Sequence, residues 1–175
     1  ASMTKELLTQ PGWDIFYEGG DANRARRAHL EGVIFLLPWI ATIDSFQHWV
    51  YSNPEHTREE RESAWIEIRE RFGSEMNWDD IDGFRGVSWQ VQGHLYGAPF
   101  YYIEYGIAQL GSLQLWQTHR KDRGEALDDY ANAMSLGNTK TLPELFSAAN
   151  LRLGFSEEHL EPLIGEIGVA MKELA

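Results

Sequence analysis

The 175-residue chain has no cysteine. That excludes a disulfide framework and any thiolate metal site, and a reducing compartment such as the cytoplasm is the expected setting. Positive charge is scarce: 15 Lys and Arg stand against 27 Asp and Glu, a formal net charge of −12. So acidic a chain repels phosphate backbones, and no nucleic-acid partner is expected. Long apolar runs are missing too. The most apolar stretch, residues 33–43, is interrupted by Pro38, so no membrane partner is expected. Residues 1–9 hold no basic segment followed by an apolar core, and no signal peptide is legible there. Strand alternation never lasts more than a few residues, which leaves an all-α reading.

What is present is apolar and aromatic. Hydrophobic residues make up 43% of the chain, with 7 Trp, 7 Tyr and 8 Phe. This suits one globular helical domain over residues 1–175, with some aromatics in the core and others available to line a groove. Residues 2–10 read as the last turns of a helix stopped by Pro11-Gly12, so the chain is expected to begin inside an element, as a piece of a larger fold. Asp21 is placed to cap a long helix over residues 22–51, kinked at Pro38 because proline removes one backbone bond. Thr57 with Glu60 forms a capping-box pattern ahead of residues 61–72. There Ala64, Trp65, Ile68 and Phe72 share a face, and the surrounding charge run reads as solvated. A helical pattern covers residues 84–94. Gly97-Ala98-Pro99 breaks it, and Pro99 is expected to open a helix over residues 100–119. Further helices are expected over 122–136, closed by Gly137, after a second capping box at Thr141 and Glu144, and from Ser156 onward.

Residues 99–116 carry the most information. On a helical wheel Phe100, Ile103, Ile107 and Leu110 make one apolar face, and Glu104 is the sole charge. Such a helix belongs inside a bundle. Gly106 and Gly111 each cost roughly 1 kcal/mol against alanine in a helix interior, which a close backbone or ligand would explain. Tyr102 and Tyr105 can point into one space with Tyr101 flanking it, and the Gly97–Pro99 break can aim His94 at that space. Two readings stay open: a cleft wall of phenol donors, or three core tyrosines satisfied locally.

The segment HLYGAPFYYIEYGIAQLGSLQLW (residues 94–116) resembles the C-terminal catalytic-lobe segment of oligoendopeptidase F, in the thimet-oligopeptidase-like zinc metallopeptidase family. RRAHLEGVIFLLPWIATIDSFQHWVYSNPEHTREERESAW (residues 26–65) and TLPELFSAANLRLGFSEEHLEPLIGEI (residues 141–167) resemble that family's flanking text in the same order. The resemblance implies the C-terminal portion of a zincin-like, irregular helical bundle with a channel for short peptides. It also implies that histidine and tyrosine on this side hydrogen-bond the substrate and the oxyanion. The matching positions are His94 and Tyr105 as catalytic donors, with Tyr101 and Tyr102 as substrate-binding residues.

The departure from the family is the metal. Its zinc is held by an H-E-x-x-H helix and a further glutamate, and no H-E-x-x-H exists here: His29-Leu30-Glu31 has the wrong order and Glu158-His159 stands alone. Ala1-Ser2-Met3 resembles the text just after the third ligand. No metal is therefore expected in this chain, and zinc belongs to the complete parent. Glu6 reads as a solvated helical glutamate before a group supporting the zinc site. His48 reads as an interior hydrogen-bonded residue, His29 and His56 as surface or capping residues, and His119 and His159 as helix-end residues. The expected function is the substrate-binding, oxyanion side of a zinc metalloendopeptidase, inactive as this isolated chain. The alternative is a non-enzymatic peptide-binding or interaction module derived from such a peptidase. Expected partners are short peptides, the missing zinc-bearing part and, through exposed apolar surface, further copies of the chain.

Overall fold

Helices account for every regular element in a computed structural model that describes residues 1–73 and 77–174. The all-α expectation is therefore met, and no strand occurs among the described residues. Helix α1 spans Ser2–Thr9 and tightens into a 3₁₀ turn over Gln10–Ile15, where Pro11 sits at the start because it lacks the N–H that position would leave unpaired. Helix α2 runs over Asp21–Ser52 with Pro38 inside it. Helix α3, Arg58–Phe72, opens on a complete capping box: Glu60 N–H donates to Thr57 Oγ1 at 3.2 Å and Thr57 N–H to Glu60 Oε2 at 2.8 Å.

The expected helix over 84–94 is instead three short pieces. These are α4 (Asp82–Arg85), a 3₁₀ turn (Ser88–Val91) and α5 (His94–Gly97). Four glycines between residues 83 and 97 weaken any continuous helix there. Helix α6 begins at Ile103, not beside Pro99, and runs to Lys121. Phe100 has φ of 60°, a left-handed conformation that halts helix growth before it can start at Pro99. Helix α7 (Arg123–Ser135) is capped by Asp122, whose carboxylate accepts from Glu125 N–H at 3.0 Å, and Gly137 follows at φ of 55°. Helix α8 (Leu142–Ala148) has the Thr141–Glu144 capping box, and α9 spans Glu157–Glu173.

Two compact units emerge: residues 1–34 with 107–175, and residues 35–106. The first division falls at Ile34, whose carbonyl is the one Pro38 cannot bond. The first unit buries Leu7, Leu30, Leu113, Trp116 and Ile167. Its helices are tied by Thr4 to Ser112 (2.9 Å), by Asn150 donating to Asp129 (2.7 Å), and by Arg120 on Glu166 and Glu173 (2.7 and 2.9 Å). Gly111 is explained here, because an added Cβ would meet the Phe146 ring at 3.1 Å. At Gly106, in the second unit, the neighbour is Ile40 at 3.4 Å. Apolar side chains, not a backbone or ligand, fill both places.

The second unit has its core at Ile43, Phe46 and Trp65, with Trp39, Trp89, Leu95 and Tyr102 packed against them. Helix α2 is long and apolar enough, by length and composition, to cross a membrane. It also buries Leu30 and Val33 in one unit and Ile40, Ile43 and Phe46 in the other, while Arg26, Arg27, Glu31 and Asp44 interrupt it. That is the pattern of a helix packed on protein on one side and wet on the other.

Candidate functional site

The second unit places His94 and the three tyrosines in one cluster. The His94 ring lies 6.3 Å from Tyr101 with the planes 7° apart, 4.9 Å from Tyr102 and 5.7 Å from Tyr105, edge-on at 84°. Tyr105 in turn meets Tyr101 at 5.6 Å and Tyr102 at 5.4 Å. These separations fall in the range where aromatic rings attract by edge-to-face and offset stacking. The wheel argument for Tyr102 and Tyr105 thus agrees with the geometry, and His94 joins them from the far side of the Gly97–Pro99 break.

Phe100 makes the arrangement possible. A bulky residue at positive φ costs on the order of 1–2 kcal/mol. The ring offsets that cost by packing on His48 at 5.1 Å and Tyr51 at 5.0 Å. The chain turns there before α6, and Tyr101 and Tyr102 fall beside His94. Tyr101 is half-exposed, whereas Tyr102 and Tyr105 are partly buried. Burial pushes the Tyr102 phenol above its ordinary value; the Trp39 N–H acting on its oxygen pulls the other way, and Tyr105 adds a small upward push. Tyr102 therefore keeps its O–H, and with it a donor, throughout the physiological range.

Two residues that sequence reasoning missed complete the site. Trp39 Nε1 lies 3.1 Å from Gln92 Oε1, and Gln92 Nε2 lies 2.6 Å from His94 Nδ1. The available signal was a glutamine two residues before the histidine. Its Trp39 partner is 53 residues away, beyond any local pattern.

The remaining histidines scatter. His48, expected in the interior, has its side chain 67% exposed, 3.6 Å from Asp44 one turn earlier. The 3.6-residue period turns position 48 outward when Ile43, Phe46 and Gln47 face inward. His29, expected at the surface or in a cap, is half-buried: Gln10 Nε2 is 2.8 Å from its Nδ1, Glu6 is 3.6 Å from its Nε2, and Trp13 packs on the ring at 5.5 Å. His56 bonds the Asn53 carbonyl at the end of α2. Among the described residues no three His, Asp or Glu gather to hold a metal ion. The described residues do not fit a zinc centre.

Comparison with known proteins bears on the fold and the family. The chain is similar to a solved oligoendopeptidase F at 37% identity and a TM-score of 0.90, covering 98% of this chain and 30% of that one. It is similar to PZ peptidase A, solved with an inhibitor, at 34% identity and a TM-score of 0.90, covering 98% and 31%. It is also similar to an oligoendopeptidase F from Bacillus anthracis at 34% identity and a TM-score of 0.77, covering 98% and 27%. The chain thus spans about three-tenths of the length of the solved proteins it matches. No curated protein matches it. The sequence profile of peptidase family M3 matches residues 1–163, the stretch that includes His94, Tyr101, Tyr102 and Tyr105, and the chain belongs to that family.

Proposed function

We propose that the His94–Tyr101–Tyr102–Tyr105 cluster is the substrate-side wall of a zinc metalloendopeptidase acting on short peptides. Its observed basis is the gathering of four hydrogen-bonding rings, each within 6.3 Å of its neighbours in the cluster, in a chain of a peptidase family. Imidazole and phenol donors meet the backbone carbonyls of an extended peptide. Tyr105 and His94 stabilise the negative charge that develops on the carbonyl oxygen, and Tyr101 and Tyr102 hold the chain. The zinc ligands and general base lie outside these 175 residues, so the chain binds peptides without cleaving them. The zinc-bearing part of the peptidase is its natural partner, and cytoplasmic peptides are the substrates of the complete enzyme.

The test is a titration of fluorescent 5–15-residue peptides against the chain and against Tyr105→Phe, with hydrolysis followed in the presence of zinc. Losing one neutral hydrogen bond weakens binding about 2–10-fold. The expected result is measurable affinity, a loss of that size in the variant and no cleavage by either. Equal affinity in both proteins would remove Tyr105 from the wall. Zinc-dependent cleavage by this chain would overturn the division of labour. If a longer protein carrying H-E-x-x-H also bound peptides yet failed to cleave them, the non-enzymatic alternative would replace the peptidase reading.

A further inference from the structure

We propose that Gln92 is a positioning residue for His94, fixing the neutral imidazole in the tautomer that carries its proton on Nε2, so that His94 meets a peptide as a donor. The use of that donor rests on the cluster being a peptide wall; the placement of the proton does not.

Trp39 determines which way the Gln92 amide is turned. An indole N–H donates and never accepts. The Trp39 indole nitrogen stands 3.1 Å from the Gln92 carboxamide with its N–H directed there, and the same N–H also acts on the Tyr102 oxygen. Whichever way an amide is drawn, the atom facing an indole N–H must be the oxygen, since nitrogen there would set donor against donor. The NH₂ group must then face His94, 2.6 Å from Nδ1. That group has protons to give and no lone pair to offer. Nδ1 must accept, so it bears no proton, and the single proton of the neutral ring sits on Nε2. The indole N–H thus sets the orientation of the amide, and with it the proton on the imidazole.

The arrangement is rigid at its root. Trp39 packs edge-on against Trp65 at 5.9 Å, and Trp65 is fully buried in the core of the unit. The Trp65 N–H is itself committed, to the Arg85 carbonyl at 3.1 Å and to Ser88 Oγ at 2.9 Å. Restraint therefore passes from the core to Trp39, to Gln92 and to the imidazole. At the other end, His94 has no ion pair with Asp or Glu among the described residues, and Nε2 has no hydrogen-bond partner there. Among the described residues that donor is unused. The opposite tautomer would turn a bare lone pair on Nε2 toward a peptide carbonyl and repel it. A donor fixed before the substrate arrives needs no reorganisation when charge develops.

The experiment is nitrogen-15 NMR on the whole chain labelled at histidine, with His94 assigned by its loss in His94→Gln. Two-bond proton–nitrogen correlations at a pH of about 8.5, above the ordinary histidine range, report which ring nitrogen carries the proton. Wild type is expected to show it on Nε2. In Gln92→Glu a carboxylate oxygen replaces the NH₂ group and requires a donor, so the proton is expected to move to Nδ1. A merely structural role for Gln92 would not produce that exchange. A wild-type proton on Nδ1, or a proton unmoved in a folded Gln92→Glu, would overturn the proposal, and the wild-type spectrum decides even if the variant does not fold. Peptide affinity in the two proteins is read alongside, with a fall of about tenfold expected in Gln92→Glu. A moved proton with unchanged affinity would uphold the placement and overturn its use in peptide binding.

Discussion

Two histidines, one in each unit, face a glutamine carboxamide through Nδ1, at 2.8 Å for His29 with Gln10 and at 2.6 Å for His94 with Gln92. From there the environments part. Gln10 is 6% exposed, and the second nitrogen of His29 lies 3.6 Å from the Glu6 carboxylate. Both of its nitrogens have polar partners, so the His29 pair is closed and serves to join the α1 region to α2. Nothing among the described residues takes up the second nitrogen of His94, and three tyrosine rings stand around it. The same pair of side chains is thus a structural link where a carboxylate stands at the far nitrogen, and an available donor where none does. Trp39 adds a second difference, because it fixes the Gln92 amide, whereas the Gln10 amide oxygen has no hydrogen-bond partner among the described residues.

The comparison breaks or holds first on stability. His29→Leu would leave the buried Gln10 carboxamide without its partner, at a cost of about 1–3 kcal/mol. In His94→Leu the half-buried Gln92 can turn to water, and the expected cost is under about 1 kcal/mol. Peptide affinity should show the reverse order: unchanged in His29→Leu and weakened in His94→Leu. Urea unfolding and peptide titration of the same two proteins give both rankings. If the two variants proved equally destabilised and equally impaired, the distinction between closed and open pairs would have to be dropped.

A third glutamine sharpens the point from the other side. Gln47 is 2% exposed and lines a cavity of ≈200 Å³ with Arg61, Trp89 and Tyr96, yet neither its Oε1 nor its Nε2 has a hydrogen-bond partner among the described residues. A buried polar group without a partner carries its full desolvation penalty. Gln47→Met keeps the length of the side chain and removes that penalty, so a gain of about 1 kcal/mol is expected by urea unfolding. A loss instead would mean that water or a ligand in the cavity satisfies the carboxamide.

Local chemistry was legible in the sequence and long-range pairing was not. The capping boxes at Thr57–Glu60 and Thr141–Glu144 and the left-handed Gly137 each depend on residues within four positions, and each is where the sequence places it. The rings of Tyr102 and Tyr105 could be paired from helical spacing, and His94 was added through the break that precedes α6. Phe100 could not be read, since phenylalanine has no preference for positive φ and only the tertiary contact with His48 and Tyr51 holds it there. For the same reason Trp39 and Gln92 were invisible as site residues. His48 was misread because Phe46-Gln47-His48-Trp49 looks apolar as a string, while its exposure depends on which side of the helix meets the core.

His119 supplies the smallest expected effect and a third kind of histidine. It sits in the last turn of α6 and lines a cavity of the first unit with Lys5, Arg123 and Tyr130. Unlike His29 and His94 it has no side-chain hydrogen bond among the described residues. Burial holds its pKa below the ordinary value of 6.5, and the Arg123 charge pushes it the same way. The folded protein therefore binds this proton less readily than the unfolded chain. Where both states are neutral, above about pH 6.5, His119 has no effect on stability. As the pH falls through 6.5 toward the depressed folded value, the unfolded chain takes up the proton first, and stability declines. His119→Gln removes that contribution, so its unfolding free energy should fall less than that of wild type between pH 7.5 and 5.5. The lowered carboxyls of Asp14 and Glu144 act in a more acidic window, below their ordinary values of 3.8 and 4.5, and are common to both proteins. A steeper decline in the variant would show that His119 gains a partner on protonation, which would place it with His29 as a closed site.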